Sequence, residues 1–85
     1  EGVVLREVYS DSPAEKAGLK GTSRDQYGRI ILGDIIVSID GDPIRNYDDM
    51  YNAFDEKKAG SNVVLVFLRN GEERTETIDV VTVTD

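Results

Sequence analysis

Asparagine followed by glycine at positions 70 and 71 constrains this chain more than any other pair of residues. Both central positions of a type I′ turn require positive φ, which Asn and Gly supply at least cost. The pair stands between NVVLVFLR and EERTETIDVV, so residues 62–81 read as a β-hairpin. A loop of just those two residues fixes the register: Arg69 faces Glu72, Phe67 faces Arg74 and Val63 faces Ile78. That register puts a charge pair at a solvated tip and apolar pairing at a buried base. The closing TVTD is expected to fray.

The segment SDSPAEKAGL, residues 10–19, reads as a miniature helix. Ser12 can cap it, Pro13 suits the first helical position where an N–H would be unpaired anyway, and Glu15 completes a capping box. Gly18 can take the left-handed conformation that stops the helix, and Leu19 folds back onto the core. So short a helix is not stable alone in water, so strands must hold it, with Ala14 and Ala17 allowing close approach. Ahead of it, residues 2–9 alternate as a strand, Val4, Arg6 and Val8 on one side and Val3, Leu5, Glu7 and Tyr9 on the other.

Residues 20–29, KGTSRDQYGR, are polar and read as an exposed loop with Tyr27 as its only anchor; its removal is expected to spare the fold,. Residues 34–40 are too short and too rich in Ile and Val for a helix, and Gly33 and Gly41 bracket them, which predicts a buried strand. DGDP at 40–43 turns the chain into a brief extended piece. Asn46 then caps a second helix on which Tyr47, Met50, Tyr51 and Phe54 recur at i, i+3, i+4 and i+7. Asp48, Asp49, Asn52, Asp55 and Glu56 take the other side, Lys57 and Lys58 suit the negative end, and Gly60 ends it. The order predicts an α+β, mostly β domain: a small, partly open β-barrel or sandwich capped by one short and one longer helix.

Composition narrows what such a domain can do. Its 85 residues, 39% hydrophobic and 32% charged, suit one domain spanning 1–85,. A chain of this size buries about 60 to 65% of its unfolded surface. With no cysteine and no histidine there is no thiolate nucleophile, no imidazole base and none of the usual zinc ligands,. Ser10, Ser12, Ser23 and Ser38 have no marked base, so no catalytic residue is assigned. Seventeen acids against ten bases give a net charge of −7, and the scattered positive residues argue against nucleic acid,. No apolar run has the length of a membrane span, and none of the given residues is expected to act as a signal peptide. The acids at 40, 42, 48, 49, 55 and 56 lack the alternating ligands and closing Glu of an EF-hand, so neither metal nor cofactor is expected.

SPAEKAGL, LGDIIVSIDGDPI, YDDMYNAFDEKKAG and VVLVFLRNGE, taken together, resemble a PDZ domain of the kind attached to Deg/HtrA-type serine proteases. The likeness runs over residues 2–81, and the longer GTSRDQYGRIILGD connection is similar to the first PDZ domain of chloroplast, cyanobacterial and some other bacterial Deg proteases. The resemblance implies a noncatalytic module that binds C-terminal or unfolded peptide segments as an added strand and regulates or assembles a covalently linked protease domain. It also implies a cell envelope, periplasm or organelle lumen as the compartment.

In that family a glycine-containing carboxylate loop and a groove strand lie before the segment matching residues 2–9. With the chain beginning at Glu1, the helix wall of the groove is expected to be present and the strand wall missing. Tyr47, Asp48, Tyr51 and Asp55 are the candidate peptide-binding residues, the tyrosines as lining and the acids as rim. The alternative is a self-association or scaffold domain whose open helix face and sheet edge pair with a neighbouring chain, through residues 80–85 or 1–4. The expected balance is weak binding of C-terminal peptides with a tendency to self-associate.

Overall fold

The computed structural model describes residues 2–57 and 60–80. Along the chain lie β1 (Val3–Val4), α1 (Pro13–Lys16), β2 (Ser23–Arg24), β3 (Ile30–Ile31), β4 (Ile35–Ile39), β5 (Asp42–Pro43), α2 (Tyr47–Asp55), β6 (Asn62–Arg69) and β7 (Glu72–Asp79). A five-stranded sheet runs in the order β1, β4, β6, β7, with β5 paired to β4, while β2 and β3 form a separate two-stranded sheet. The sheets do not close into a barrel, so the open form of the expected architecture is the one adopted.

The β6–β7 hairpin has the register read from the sequence, with Arg69 opposite Glu72, Phe67 opposite Arg74 and Val63 opposite Ile78. Asn70 and Gly71 both have positive φ, 54° and 79°, as a type I′ turn demands,. Alternation along β6 buries Val63, Leu65 and Phe67, while β7 is exposed except at Ile78. The tip is wet and the base is packed.

β4 contains a feature that periodicity alone does not give. Ile36 and Ile39 are both buried, yet residues three apart on a regular strand face opposite ways,. A bulge between Ile36 and Ser38 resolves the conflict: Ile36 pairs with Phe67 and Ile39 with Leu65, so both reach the core face,. Leu19, Ile44 and Ala53 complete that core.

Helix α1 ends as its sequence dictates. Glu15 N–H donates to Ser12 Oγ at 3.1 Å, and Glu15 Oε1 accepts from the N–H of Asp11 at 2.7 Å, one residue earlier than a capping box requires,. Gly18 sits at φ 88°, and Leu19 N–H donates to the Ala14 carbonyl,. α2 is capped by Asn46, whose Oδ1 accepts from Asp49 N–H at 2.9 Å. It ends at Asp55, so Lys57 lies beyond it and pairs instead with Asp40 at 2.9 Å. The Asp40 carboxyl is held below its ordinary pKa by the Val64 N–H and by Lys57. Lys58 and the 81–85 tail fall outside the described residues.

Two expectations are corrected. Residues 2–9 do not make one continuous strand: only Val3–Val4 pairs with β4. Beyond Leu5 the connection from α1 takes the space beside the segment: Thr22 N–H and Oγ1 donate to the Leu5 carbonyl, and a Cβ on Gly21 would lie 3.0 Å from Glu7 Cα. The 20–29 loop is also more ordered than its polarity suggested. Ser23 and Arg24 pair with Ile31 and Ile30 as a small hairpin. Tyr27 is not its anchor, being 72% exposed with only the Arg29 guanidinium against its ring. Asp25 holds the turn, its carboxylate accepting from the N–H groups of Tyr27 and Arg29 and from Arg29 Nε.

These contacts change which residues are dispensable. Lys20 and Thr22 are tied to Asp34 and Leu5, so excising all of 20–29 would cut structural bonds. Replacing only residues 24–30 by Asn-Gly keeps Ser23 opposite Ile31 and should lower the thermal midpoint by less than about 5 °C. A larger loss in calorimetry would show that the hairpin supports the domain.

Candidate functional site

The conspicuous surface feature is a trench between the extended segment 3–9 and α2. Near the start of α2 it is a cleft of about 420 Å³ bordered by Val3, Leu5, Arg6, Tyr9, Tyr47 and Met50. Toward the end of α2 lies a cleft of about 430 Å³ among Glu7, Val8, Pro13, Phe54, Asp55 and Ile78. Between them a pit of about 210 Å³ reaches Leu19, Ile36 and Leu65, so the trench opens onto the hydrophobic core itself. Its floor is apolar because α2 turns Met50, Ala53 and Phe54 inward.

One wall of the trench is an unpaired backbone edge. Among the described residues neither the N–H nor the carbonyl of Glu7 or Val8 has a hydrogen-bond partner. A free edge of this kind can be completed by an added strand.

The proposed site residues fall in different places. Tyr47 borders the first cleft and Asp55 the second, although Tyr47 is 58% exposed. Tyr51 and Asp48 stand outside all three clefts; Tyr51 is 63% exposed and meets the Tyr47 ring edge-on, with centroids 5.2 Å apart. The helical stripe is therefore split. Met50 and Phe54 pack inward, whereas the two tyrosines lean to its outer side. Met50 and Phe54 belong to the same helical stripe but were ranked below Tyr51 as lining, while Leu5, Glu7, Val8 and Ile78, which border the clefts, were not among the candidates.

A buried ionic clasp ties α1 to the sheet. Asp34, 1% exposed, accepts from Arg69 Nε at 2.9 Å, Arg69 Nη2 at 2.8 Å and the Lys20 N–H at 2.8 Å. Arg69 Nη2 also donates to the Gly18 carbonyl at 2.8 Å, tying the end of α1 to β4 and β6. Burial by itself raises the Asp34 pKa, but the Arg69 and Lys20 hydrogen bonds and positive charges together outweigh it and the net shift is downward,. No buried polar side-chain atom among the described residues is left without a partner. Among the same residues no group of acids is arranged to hold a metal ion.

A two-helix, open-sheet domain with an unpaired edge facing its longer helix is the architecture of a peptide-binding module. The chain belongs to the PDZ domain family, whose model matches residues 1–80. It is 44% identical over 68 residues to Protease Do-like 1, chloroplastic, of Arabidopsis thaliana, covering 80% of this chain and 16% of that protein. It is 39% identical over 79 residues to Serine protease Do-like HtrA of Bacillus subtilis, covering 92% of this chain and 15% of that protein. The solution structure of GtR34C from Geobacillus thermodenitrificans superposes with a TM-score of 0.65 at 28% identity, covering 93% of this chain and 77% of that one. The chain thus spans about a sixth of the length of the proteases it resembles.

Proposed function

We propose that this domain is the noncatalytic peptide-binding module of a Deg/HtrA-type serine protease. It takes an extended polypeptide segment, C-terminal or unfolded, as an added strand in the groove along α2, and through that occupancy regulates or assembles the linked protease. The observation that carries the reading is the trench along α2, whose apolar floor opens to the core. Each main-chain hydrogen bond to an added strand contributes about 1 kcal/mol, and side chains entering the pit add apolar burial.

The test is a titration of the isotope-labelled domain with an extended apolar peptide in free-acid and amidated forms. Saturable shifts confined to residues 5–9, Met50, Phe54 and Ile78 support the reading. Equal affinity of the two forms assigns recognition to main-chain pairing, and loss on amidation assigns it to the carboxylate. Shifts elsewhere, or none, would sink it.

Self-association is a second reading. Ile30, Ile31 and Leu32 are 60%, 48% and 63% exposed along the return strand of the small hairpin and just past it, an apolar stretch that another copy could cover,. Sedimentation across a concentration series tests it: a mass that rises with concentration and is restored to monomer by Leu32→Glu supports pairing through this stretch.

The domain itself is expected to cleave nothing, since a Ser-His-Asp arrangement is impossible without histidine,. Casein hydrolysis by the pure chain, abolished by mutating one of Ser10, Ser12, Ser23 or Ser38, would contradict that.

A further inference from the structure

The pair that fixes the β6–β7 hairpin also contains the chemically most vulnerable asparagine of the chain. Asparagine occurs at 46, 52, 62 and 70, followed by Tyr47, Ala53, Val63 and Gly71. A carboxamide is lost when the main-chain nitrogen of the next residue attacks its Cγ, and a side chain on that next residue obstructs the approach. Gly71 presents no such obstacle. Asn70 and Gly71 are both exposed and border a depression of about 260 Å³ beside Ile31, Leu32 and Leu68, so water reaches them. The Asn70 carboxamide has no hydrogen-bond partner among the described residues, whereas that of Asn46 is held as a helix cap.

The folded turn nevertheless keeps the reacting atoms apart. A succinimide ring closes only when Cβ and the next main-chain nitrogen are nearly eclipsed about the Cα–C bond. Asn70 has φ 54°, and the first central residue of a type I′ turn takes ψ of about +30°,. At that ψ an L residue holds its Cβ nearly opposite the next nitrogen, the arrangement furthest from ring closure. The rotation that would bring them together swings Gly71 out of the turn and breaks the pairing of Arg69 with Glu72.

We infer that Asn70 is a deamidation site masked by its own turn, so that modification there records opening of the β6–β7 hairpin. In the opened chain the Gly71 nitrogen bonds to Asn70 Cγ, the Cγ–Nδ2 bond breaks, and the amide proton leaves with that nitrogen as ammonia. Water then opens the imide. Hydrolysis at Cγ gives aspartate, which a type I′ turn accepts. Hydrolysis at the main-chain carbonyl gives isoaspartate, whose extra main-chain carbon a two-residue loop cannot hold in register. The preceding residue is Arg69, paired with Glu72 and clasped to Asp34 and the Gly18 carbonyl. The isoaspartyl form therefore loses the tip pairing and loosens the clasp, and a transient opening becomes permanent.

The intact 85-residue chain is aged in warm, mildly alkaline buffer, folded or unfolded in urea, and position 70 is followed by peptide mapping and isoaspartate-specific methylation. Loss of the amide should be about a hundredfold slower in the folded chain, the ratio expected if reaction requires an opened hairpin. Asp34→Ala without urea should fall between the two. The purified isoaspartyl form should lose the amide contacts between Arg69 and Glu72 in nuclear magnetic resonance spectra, while Asn70→Asp keeps them. Equal rates in folded and unfolded chain would overturn the masking, and an amide at 70 that survives unfolding would overturn the site. An isoaspartyl form with its tip pairing intact would overturn the permanent opening.

Discussion

Replacing Asp34 by alanine is expected to remove about 3 to 5 kcal/mol of folding stability, the range for breaking one partner of a buried ion pair. The whole stability of a domain this small is typically about 5 to 10 kcal/mol, so the variant should be partly unfolded at 37 °C. The loss comes from what remains behind. The Arg69 guanidinium keeps only the Gly18 carbonyl, and the Lys20 N–H loses its acceptor altogether. Asp34→Asn retains an amide oxygen for one of these donors and should lose roughly half as much. The folded carboxyl gives up its proton more readily than the unfolded one, whose ordinary value is 3.8. Its contribution is therefore complete above that value and drains away as pH falls through the lower folded value. Urea unfolding of both variants at neutral and acid pH measures this. Wild type and Asp34→Ala should converge in stability as the solution is acidified, and a difference that stays constant with pH would show that the charge is not what holds the clasp.

Gly33→Ala should cost about 3 kcal/mol, a fall of roughly 10 to 20 °C in thermal midpoint for a domain of this size. A Cβ at this position would lie 2.5 Å from the Leu5 carbonyl oxygen, 2.6 Å from Gly21 C and 2.7 Å from the Lys20 carbonyl oxygen. All three are backbone atoms, and each belongs to a segment already fixed: Leu5 N–H donates to the Asp34 carbonyl, and Asp34 N–H donates to the Lys20 carbonyl. Nothing can yield without breaking one of those bonds. Gly28→Ala is the control, with φ at 80° but open space around it, and should cost only about 1 kcal/mol of backbone strain,. Calorimetry that ranks the two in the opposite order would mean that left-handed strain outweighs crowding here.

The adjacent Gly33 and Asp34 also mark the limit of what was legible in the sequence. Their dipeptide could be matched to a family pattern, but its physical reason could not be read locally, because the Asp34 partners lie 14 and 35 residues away. Features set by neighbours in the chain were readable. The Asn70-Gly71 turn fixed eight paired positions, and Ser12, Gly18 and Asn46 marked helix ends where they occur. Features set by competition between distant segments were not. Residues 5–9 alternate like a strand, yet the chain at 20–22 claims the space beside them. The bulge in β4 serves the facing rows of β6, which the local run of Ile and Val does not encode. The same limit governs the candidate site: helical spacing placed Tyr47 and Tyr51 on one stripe with Met50 and Phe54, but the direction in which that stripe is rolled depends on the sheet beneath it.

The pit beneath the trench has a thermodynamic consequence. Since Leu19, Ile36 and Leu65 belong at once to the core and to its wall, a guest seated there completes the same apolar interior that folding assembles. Occupancy and global unfolding are then linked equilibria: a guest at a hundred times its dissociation constant adds about 2.7 kcal/mol to the unfolding free energy. Amide protons of the residues lining the pit would exchange more slowly in the occupied domain, because their opening would then compete with binding,. Proteolytic lifetime would lengthen in step, because cleavage through the opened state follows its population. An empty domain would thus be the more perishable form, and a filled one the form that lasts.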